Sequence, residues 1–343
     1  MVEAILRVRD LRVDFGTRRG VVHAVAGVSF DLNRGETLGI VGESGSGKTV
    51  TCLALLRMLP AGAGRIAGGS IELNGRDIVE LSAREMARVR GREIGMIMQD
   101  PMTSLDPLFT VGEQVRETIP QEEGATRERM RQRVMDLLGM VRIPDPASRV
   151  KSYPHQMSGG MRQRVVAAIS LSSEPAVLLA DEPTTALDVT IQIQFLDLLK
   201  SIQRERNLAM ILVTHDLSIV SRACDRVAVM YAGRIVETGD TITLFENPRH
   251  PYTKALLSSV PRLGEFPQRL PTIEGQPPDL AMLPAGCPFN VRCPVVMETC
   301  RGEMPPRRSV GPGHEVACWL ESATSPAALT ADSTPTAEAG EAP

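Results

Sequence analysis

The run Gly42-Glu43-Ser44-Gly45-Ser46-Gly47-Lys48-Thr49 constrains this 343-residue chain more than any other feature. It matches G-x-x-x-x-G-K-S/T, and its flanks fit the pattern. Residues 37–41 (TLGIV) are apolar and short, as a buried strand requires, and residues 50–59 (VTCLALLRML) read as a helix. A strand that turns through glycines into a helix start aims free backbone N–H groups at an anion. Lys48 then adds a cation beside the β- and γ-phosphates of a nucleoside triphosphate, and the Thr49 hydroxyl takes one Mg²⁺ position. A glycine-rich turn that binds nothing is the alternative, and the strand and helix on either side argue against it.

The rest of the chain fits an α/β core around that loop. Apolar strands recur at 176–180, 209–214 and 227–231, alternating with helical stretches at about 189–203 and 218–224. Fully apolar strands alternating with helices predict a parallel sheet covered on both faces. Residues 1–41 read as a meander with a turn at 15–20. Residues 68–74 form a hairpin strand closed by Asn74-Gly75, and residues 81–91 a helix. Residues 94–98 make a short strand ending at Gln99. From Asp100 to about Leu171 the sequence is charged, helix-favouring and broken by prolines, as in a helical insertion. Past residue 245 it turns proline-rich yet keeps Cys, Phe and Trp319, which predicts a small packed appendage. Residues 321–343 lack the apolar content for a core and are expected to be a disordered tail.

A net charge of −3 exerts no global pull toward nucleic acid or an acidic membrane. No stretch approaches the roughly 20 apolar residues of a membrane helix, and the N-terminus lacks a signal peptide's apolar block. The expected location is therefore the cytosol, with any membrane role exercised through a partner.

Three further sites carry chemistry. Residues 176–182 (AVLLADE) are an apolar strand ending in two carboxylates. Asp181, at a core strand's end beside the loop, can hold Mg²⁺, and Glu182 can polarise an attacking water. Ser158-Gly159-Gly160 opens a helix whose free amides and positive dipole end suit an anion, with Arg162-Gln163-Arg164 reinforcing that reading. His215 and Gln99 each end a strand where they can reach the γ-phosphate, Mg²⁺ or water.

In this order the motifs resemble those of the ATP-binding-cassette ATPases: the loop at 42–49, Gln99, MSGGMRQR at 157–164, LLADEP at 178–183, Ala186-Leu187-Asp188 and His215. The resemblance implies an α/β P-loop NTPase core with an antiparallel β subdomain, a helical signature subdomain at about 100–172 and a small C-terminal extension. It places the nucleotide-binding domain at 1–245 and the extension at 246–320. It assigns Phe15 to stacking on adenine, Lys48 and Thr49 to phosphate and Mg²⁺, and Gln99 to Mg²⁺ and the membrane-subunit contact. Asp181 goes to Mg²⁺, Glu182 to the catalytic base and His215 to the γ-phosphate. Ser158 and Gly160 would contact ATP held by a second ATPase subunit. Met161 stands where the common signature has Gln, which leaves the backbone donors in place.

Met161-Arg162-Gln163-Arg164, residues 104–114 (SLDPLFTVGEQ) and residues 247–261 (NPRHPYTKALLSSVP) narrow the resemblance to ATPases of bacterial oligopeptide and dipeptide importers, nickel importers included. Such a motor implies a paralogous second ATPase, two membrane permease subunits and an extracytoplasmic substrate-binding protein, with no nucleic acid. Its place is the cytoplasmic face of the inner membrane. A soluble relative acting on nucleic acid or the ribosome would show two cassettes, long heptads or a basic patch. A relative that has lost hydrolysis would lack Glu182 or His215.

Cys52 and Cys224 stand alone in apolar segments, as small core residues do. Cys287, Cys293, Cys300 and Cys318 crowd together with spacings of five, six and seventeen residues, without the C-x2-C pairs of zinc ribbons. Four thiolates suit a 4Fe–4S cluster, and some members of the importer group resemble this stretch and carry one. Zinc and plain reduced thiols are the alternatives.

Overall fold

The structure, a computed structural model, describes residues 4–18, 20–120, 126–185, 187–259 and 272–323. Ala186 of the sequence motif, the end of the 247–261 stretch and all but the start of the expected tail lie outside the described residues.

The strands are β1 (Ala4–Thr17), β2 (Gly20–Asn33), β3 (Thr37–Val41), β4 (Gly64–Leu73), β5 (Arg76–Asp77), β6 (Ile94–Ile97), β7 (Val177–Asp181), β8 (Ala209–Thr214), β9 (Arg226–Tyr231), β10 (Arg234–Asp240), β11 (Arg308–Gly311) and β12 (His314–Val316). They form an antiparallel sheet of order β2-β1-β4-β5 and a mixed sheet of order β11-β12-β10-β9-β3-β8-β7-β6. In the mixed sheet β3 runs parallel to both β8 and β9, and β6, β7 and β8 are parallel. Asn74 and Gly75 both take positive φ, 50° and 77°, at the tight turn from β4 to β5.

Alternate residues of a strand point to opposite faces. Leu38 and Ile40, Val177 and Leu179, and Ile211 and Val213 pack with the antiparallel sheet and the helix Lys48–Leu55. Leu178 and Met210 pack instead with the helical insertion and the helix Val189–Arg206. Val41, Ala180, Leu212, Val227 and Val229 meet the helix Leu217–Ala223 and the C-terminal extension. Burial on both faces is why β3, β7 and β8 read as nearly continuous apolar runs; every residue in them is buried.

The insertion comprises the helices Pro101–Ser104, Val111–Thr118, Arg127–Met140, Pro146–Arg149 and Gly159–Leu171, with a short turn at Pro154–Gln156. Thr110 and Glu113 close a capping box, as do Ser82 and Glu85 ahead of the helix Ala83–Val89. Removing such a cap costs about 1 kcal/mol. Val165, Ala167 and Ala168 share a core with Ile97 and Leu178, so the insertion is packed onto the sheet.

The extension likewise joins the sheet. β12 pairs with β10 through Glu237↔Val316 and Thr238↔Glu315, and β11 closes a hairpin on β12. The boundary expected at residue 246 is therefore crossed by strand pairing. Two strands of four and three residues are too short to show alternation in a proline-rich stretch. Glu237, fully buried, fastens the join. Its carboxylate accepts the N–H groups of Arg249 and His250, at 2.7 and 2.9 Å, and lies 2.8 Å from Nε2 of His314.

Candidate active site

The loop after β3 is shaped by glycines. Gly47 sits at φ 101°, and a Cβ there would lie 2.5 Å from the carbonyl oxygen of Ala24. Gly42 is likewise pressed against the carbonyl of Met230. The loop closes on itself through Ser46 N–H to Glu43 O at 3.2 Å, and Gly233 N–H donates to Ser46 O at 2.9 Å. Lys48 Nζ donates to the carbonyls of Gly42 and Glu43 at 2.8 and 3.0 Å, lying across the loop's mouth. Burial pushes its pKa down, while Glu182, Asp181 and Glu43 oppose that shift. Ser46 Oγ is buried without a hydrogen-bond partner. Ser44, Gly45 and Thr49 face solvent. This is an open cradle with an unused hydroxyl and a cation, and it fits a polyphosphate with its Mg²⁺.

The carboxylates meet the loop at the ends of neighbouring strands. Thr49 Oγ1 donates to Asp181 Oδ1 at 3.2 Å, which gathers the two oxygen ligands a Mg²⁺ ion takes in such sites. Burial raises the Asp181 pKa. The next residue, Glu182, adopts φ 45°, a left-handed conformation that a glutamate holds only under constraint. That turn sends its side chain to a different set of partners. Oε2 accepts from Gln99 Nε2 at 3.1 Å and from Thr185 Oγ1 at 3.0 Å, and Oε1 lies 3.3 Å from Nδ1 of His215. His215 itself is 59 % exposed, free to turn toward a ligand. The structure thus brings Lys48, Thr49, Asp181, Glu182, Gln99 and His215 into one cluster.

Comparison with known proteins identifies the family. A family profile described as ABC transporter matches residues 25–185, and one described as Oligopeptide/dipeptide transporter, C-terminal region, matches residues 236–300. The Dipeptide transport ATP-binding protein DppD of Bacillus subtilis is 49 % identical over 320 residues, covering 93 % of this chain and 96 % of its own. The Oligopeptide transport ATP-binding protein OppD of Escherichia coli is 49 % identical over 317 residues, covering 92 % and 93 %. The chain belongs to the ATP-binding-cassette (ABC) transporter ATPases. Among solved structures, the dimeric post-hydrolysis state of the ATP-binding cassette MJ0796 bound to ADP and Pi superposes with a TM-score of 0.62 at 26 % identity. It covers 69 % of this chain and 98 % of that one. The structure of cbiO1 from Clostridium perfringens, part of an ABC transporter complex, gives 0.61 at 29 % identity, covering 71 % and 92 %.

The Ser158-Gly159-Gly160 helix start lies elsewhere on the chain. Ser158 caps the helix Gly159–Leu171, its hydroxyl accepting from Met161 N–H at 3.4 Å. Ser158, Gly159 and Gly160 line an open pocket of about 600 Å³ with Arg164, Leu187, Asp188 and Ile191. None of its lining residues belongs to the phosphate loop. Of the arginines after Gly160, Arg164 lines this pocket, and both are held by backbone carbonyls. Arg162 donates to Pro154 O, and Arg164 to the carbonyls of Val141 and Arg142. Unpaired carbonyls past the end of the helix Arg127–Met140 are strong acceptors, and they take the Arg164 guanidinium. Phe15 is half-buried on the antiparallel sheet, its ring against Gly64.

The four C-terminal cysteines line a single pocket with His250, Phe289, Asn290 and Trp319. Burial pushes the Cys287 and Cys318 thiols up to about 11, and raises Cys293 as well. Among the described residues no group of three or more His, Cys, Asp or Glu is placed to hold a metal ion. The donor chemistry suits a thiolate-bound group, while the placement does not form a tight site for one ion. Cys52 and Cys224 are core residues, 0 % and 6 % exposed.

Sequence reasoning missed Thr185, which steadies Glu182, and it missed Arg292 and Tyr252, which reach Glu43. The left-handed turn at Glu182 that brings Thr185 round has no signature in residue type. The Arg292 and Tyr252 contacts span more than 200 residues of sequence.

Proposed function

We propose that this chain is the ATP-hydrolysing motor of an importer for dipeptides or oligopeptides. The observation that carries the hydrolytic part is the convergence of the phosphate loop with Asp181, Glu182, Gln99 and His215. The curated relatives named for dipeptide and oligopeptide transport, and the match of residues 236–300, support peptides as the cargo.

The loop amides and Lys48 bind the triphosphate of ATP. Thr49 and Asp181, with Gln99 at the edge of the site, would hold Mg²⁺, which when bound neutralises charge on the phosphates. Glu182 accepts a hydrogen bond from the attacking water and orients it; its two oxygens are already fixed by Gln99, Thr185 and His215. His215 reports the γ-phosphate, and Phe15 stacks on the adenine. Catalysis is positioning and charge stabilisation in a site closed to bulk water.

Closure needs a second cassette. The open pocket at Ser158, Gly159 and Gly160 offers free helix amides to the γ-phosphate held by a partner ATPase, a paralogue of this chain. The solved dimer of a similar cassette supports that arrangement. Among the described residues no helix is long and apolar enough to cross a membrane. As a transporter ATPase like its relatives, the motor sits peripherally on the cytoplasmic face, driving two permease subunits fed by an extracytoplasmic receptor. In the extension, Cys287, Cys293, Cys300 and Cys318 would hold a 4Fe–4S cluster, which would staple a loop-rich segment. Their shared pocket supports this.

The test is transport. The chain is assembled with its permeases, its paralogue and the receptor in vesicles, and ATP-driven uptake of labelled dipeptide and of labelled nickel is measured. Peptide uptake that stops when ATP is withheld supports the reading; uptake of nickel alone, or of neither, overturns peptide import.

A further inference from the structure

Among the described residues, the hydrogen bonds from the C-terminal extension to the phosphate loop converge on Glu43. Its N–H donates to Tyr252 Oη at 2.9 Å. Its carboxylate receives a two-pronged bond from Arg292, 2.6 Å from NH1 to Oε2 and 3.0 Å from NH2 to Oε1. Its carbonyl accepts from Lys48. The residue is thus held at both backbone groups and at its side chain, immediately before the exposed Ser44 and Gly45.

The holders are themselves fixed. The Arg292 side chain is 3 % exposed and lies 5.9 Å from the centre of the Tyr231 ring. Its remaining donors go to Glu274 O, Ile273 O and Tyr231 Oη. Tyr252 is fully buried, its ring 4.6 Å from Tyr231 and 5.4 Å from Phe289. His250 caps the helix carrying Tyr252 by accepting its N–H at 3.0 Å.

Two physical consequences follow. A phosphate loop binds through amides already aimed at the ligand, so fixing Glu43 lowers the ordering cost of binding. In addition, Glu43 is a carboxylate at the mouth of a site for a polyanion. Left unpaired it would repel the phosphates; the buried guanidinium neutralises it, and the planar fork holds it in one orientation.

We propose that Arg292 and Tyr252 are positioning residues of the phosphate loop, so that nucleotide affinity is set in part by the C-terminal extension. The proposal rests on the reading of the loop as an ATP site. Neither residue touches Glu182 or its partners among the contacts seen, so the effect falls on ATP binding and KM rather than on kcat.

The experiment measures ATP affinity by calorimetry on the full-length chain and steady-state hydrolysis on the assembled transporter that contains it. Arg292→Met should weaken ATP binding about 10-fold and raise KM in step, with kcat within about 2-fold. Arg292→Lys, which offers a point charge in place of a fork, should recover only part of the loss. Adding Glu43→Gln to Arg292→Met removes the unpaired charge and should restore most of the affinity, which a merely structural role would not predict. If Arg292→Met does not fold, Tyr252→Phe, which keeps the ring and loses only the acceptor, should weaken ATP binding several-fold. Unchanged ATP affinity in a folded Arg292→Met or Tyr252→Phe chain overturns the proposal. Wild-type chain that fails to bind ATP, or binds it equally with Lys48→Ala, overturns the reading beneath it instead.

Discussion

The hydroxyl of Thr49 and the carboxylate of Asp181 meet at 3.2 Å across 132 residues of sequence. One belongs to the first turn of the helix after the phosphate loop; the other ends β7. Between them stands β8, which pairs with both β3 and β7 and sets the register that brings the two oxygens together.

That register makes Asp181 a group whose charge is held ready for a cation. Burial raises its pKa above the ordinary carboxylate value; the Thr49 hydrogen bond and Lys48 oppose the shift, and Glu182 adds to it. A raised pKa in the folded state means the native chain keeps a proton that the unfolded chain has already lost. Stability from this group is therefore present below the ordinary pKa and is lost as pH rises through the folded value. At pH 7, without nucleotide and with EDTA present, Asp181→Asn should melt at a higher temperature than wild type. Its Mg²⁺-dependent hydrolysis should fall by about 10²-fold or more. Thermal melts and phosphate release check both; a lower melting temperature contradicts the stability half.

Glu182 is braced by three side chains in a conformation that a glutamate does not adopt freely. Glu182→Gln keeps the shape and removes the charge that orients water. Hydrolysis should drop about 10²–10⁴-fold with ATP affinity preserved. Turnover at the wild-type rate would exclude Glu182 from that role.

The pocket at Ser158 predicts an effect confined to assembly. A side chain at Gly160 would approach Ile191 Cγ2 to 2.6 Å, and a carboxylate there would set negative charge against the incoming phosphates. Gly160→Asp should leave ATP binding to the isolated chain intact and abolish ATP-dependent pairing of two cassettes, followed by sedimentation. Pairing that persists contradicts the docking geometry.

Much of this was legible before any coordinates. Residues 37–41, 176–180 and 209–214 announce themselves because strands buried on both faces are built almost entirely of apolar residues. Asn74-Gly75 specifies its turn because both positions need positive φ. The extension was less legible. β11 and β12 are too short for a periodic pattern, and the Glu43–Arg292 pair joins segments whose proximity only the folded sheet creates. The carbonyl partners of Arg162 and Arg164 were illegible for a related reason: an arginine beside a helix start has the same composition whether it meets a phosphate or a carbonyl.

The cysteine pocket predicts a coloured protein. Purified without oxygen, the chain should contain about four irons with matching sulfide. In the metal-free chain, the Cys287 and Cys318 thiols, pushed up to about 11 by burial, should alkylate slowly at pH 8 and faster as pH climbs toward that value. Zinc in place of iron would support the alternative, and a colourless metal-free preparation would remove the cluster from the account.

The central claim is that Lys48 and the loop amides grip a triphosphate that is cleaved once a second cassette closes over it. The direct measurement is ATP hydrolysis by the assembled transporter with Lys48→Ala in this subunit, alongside ATP binding to the isolated variant. Loss of binding together with loss of this site's turnover is the predicted result. Unchanged affinity and unchanged hydrolysis would contradict the account at its base.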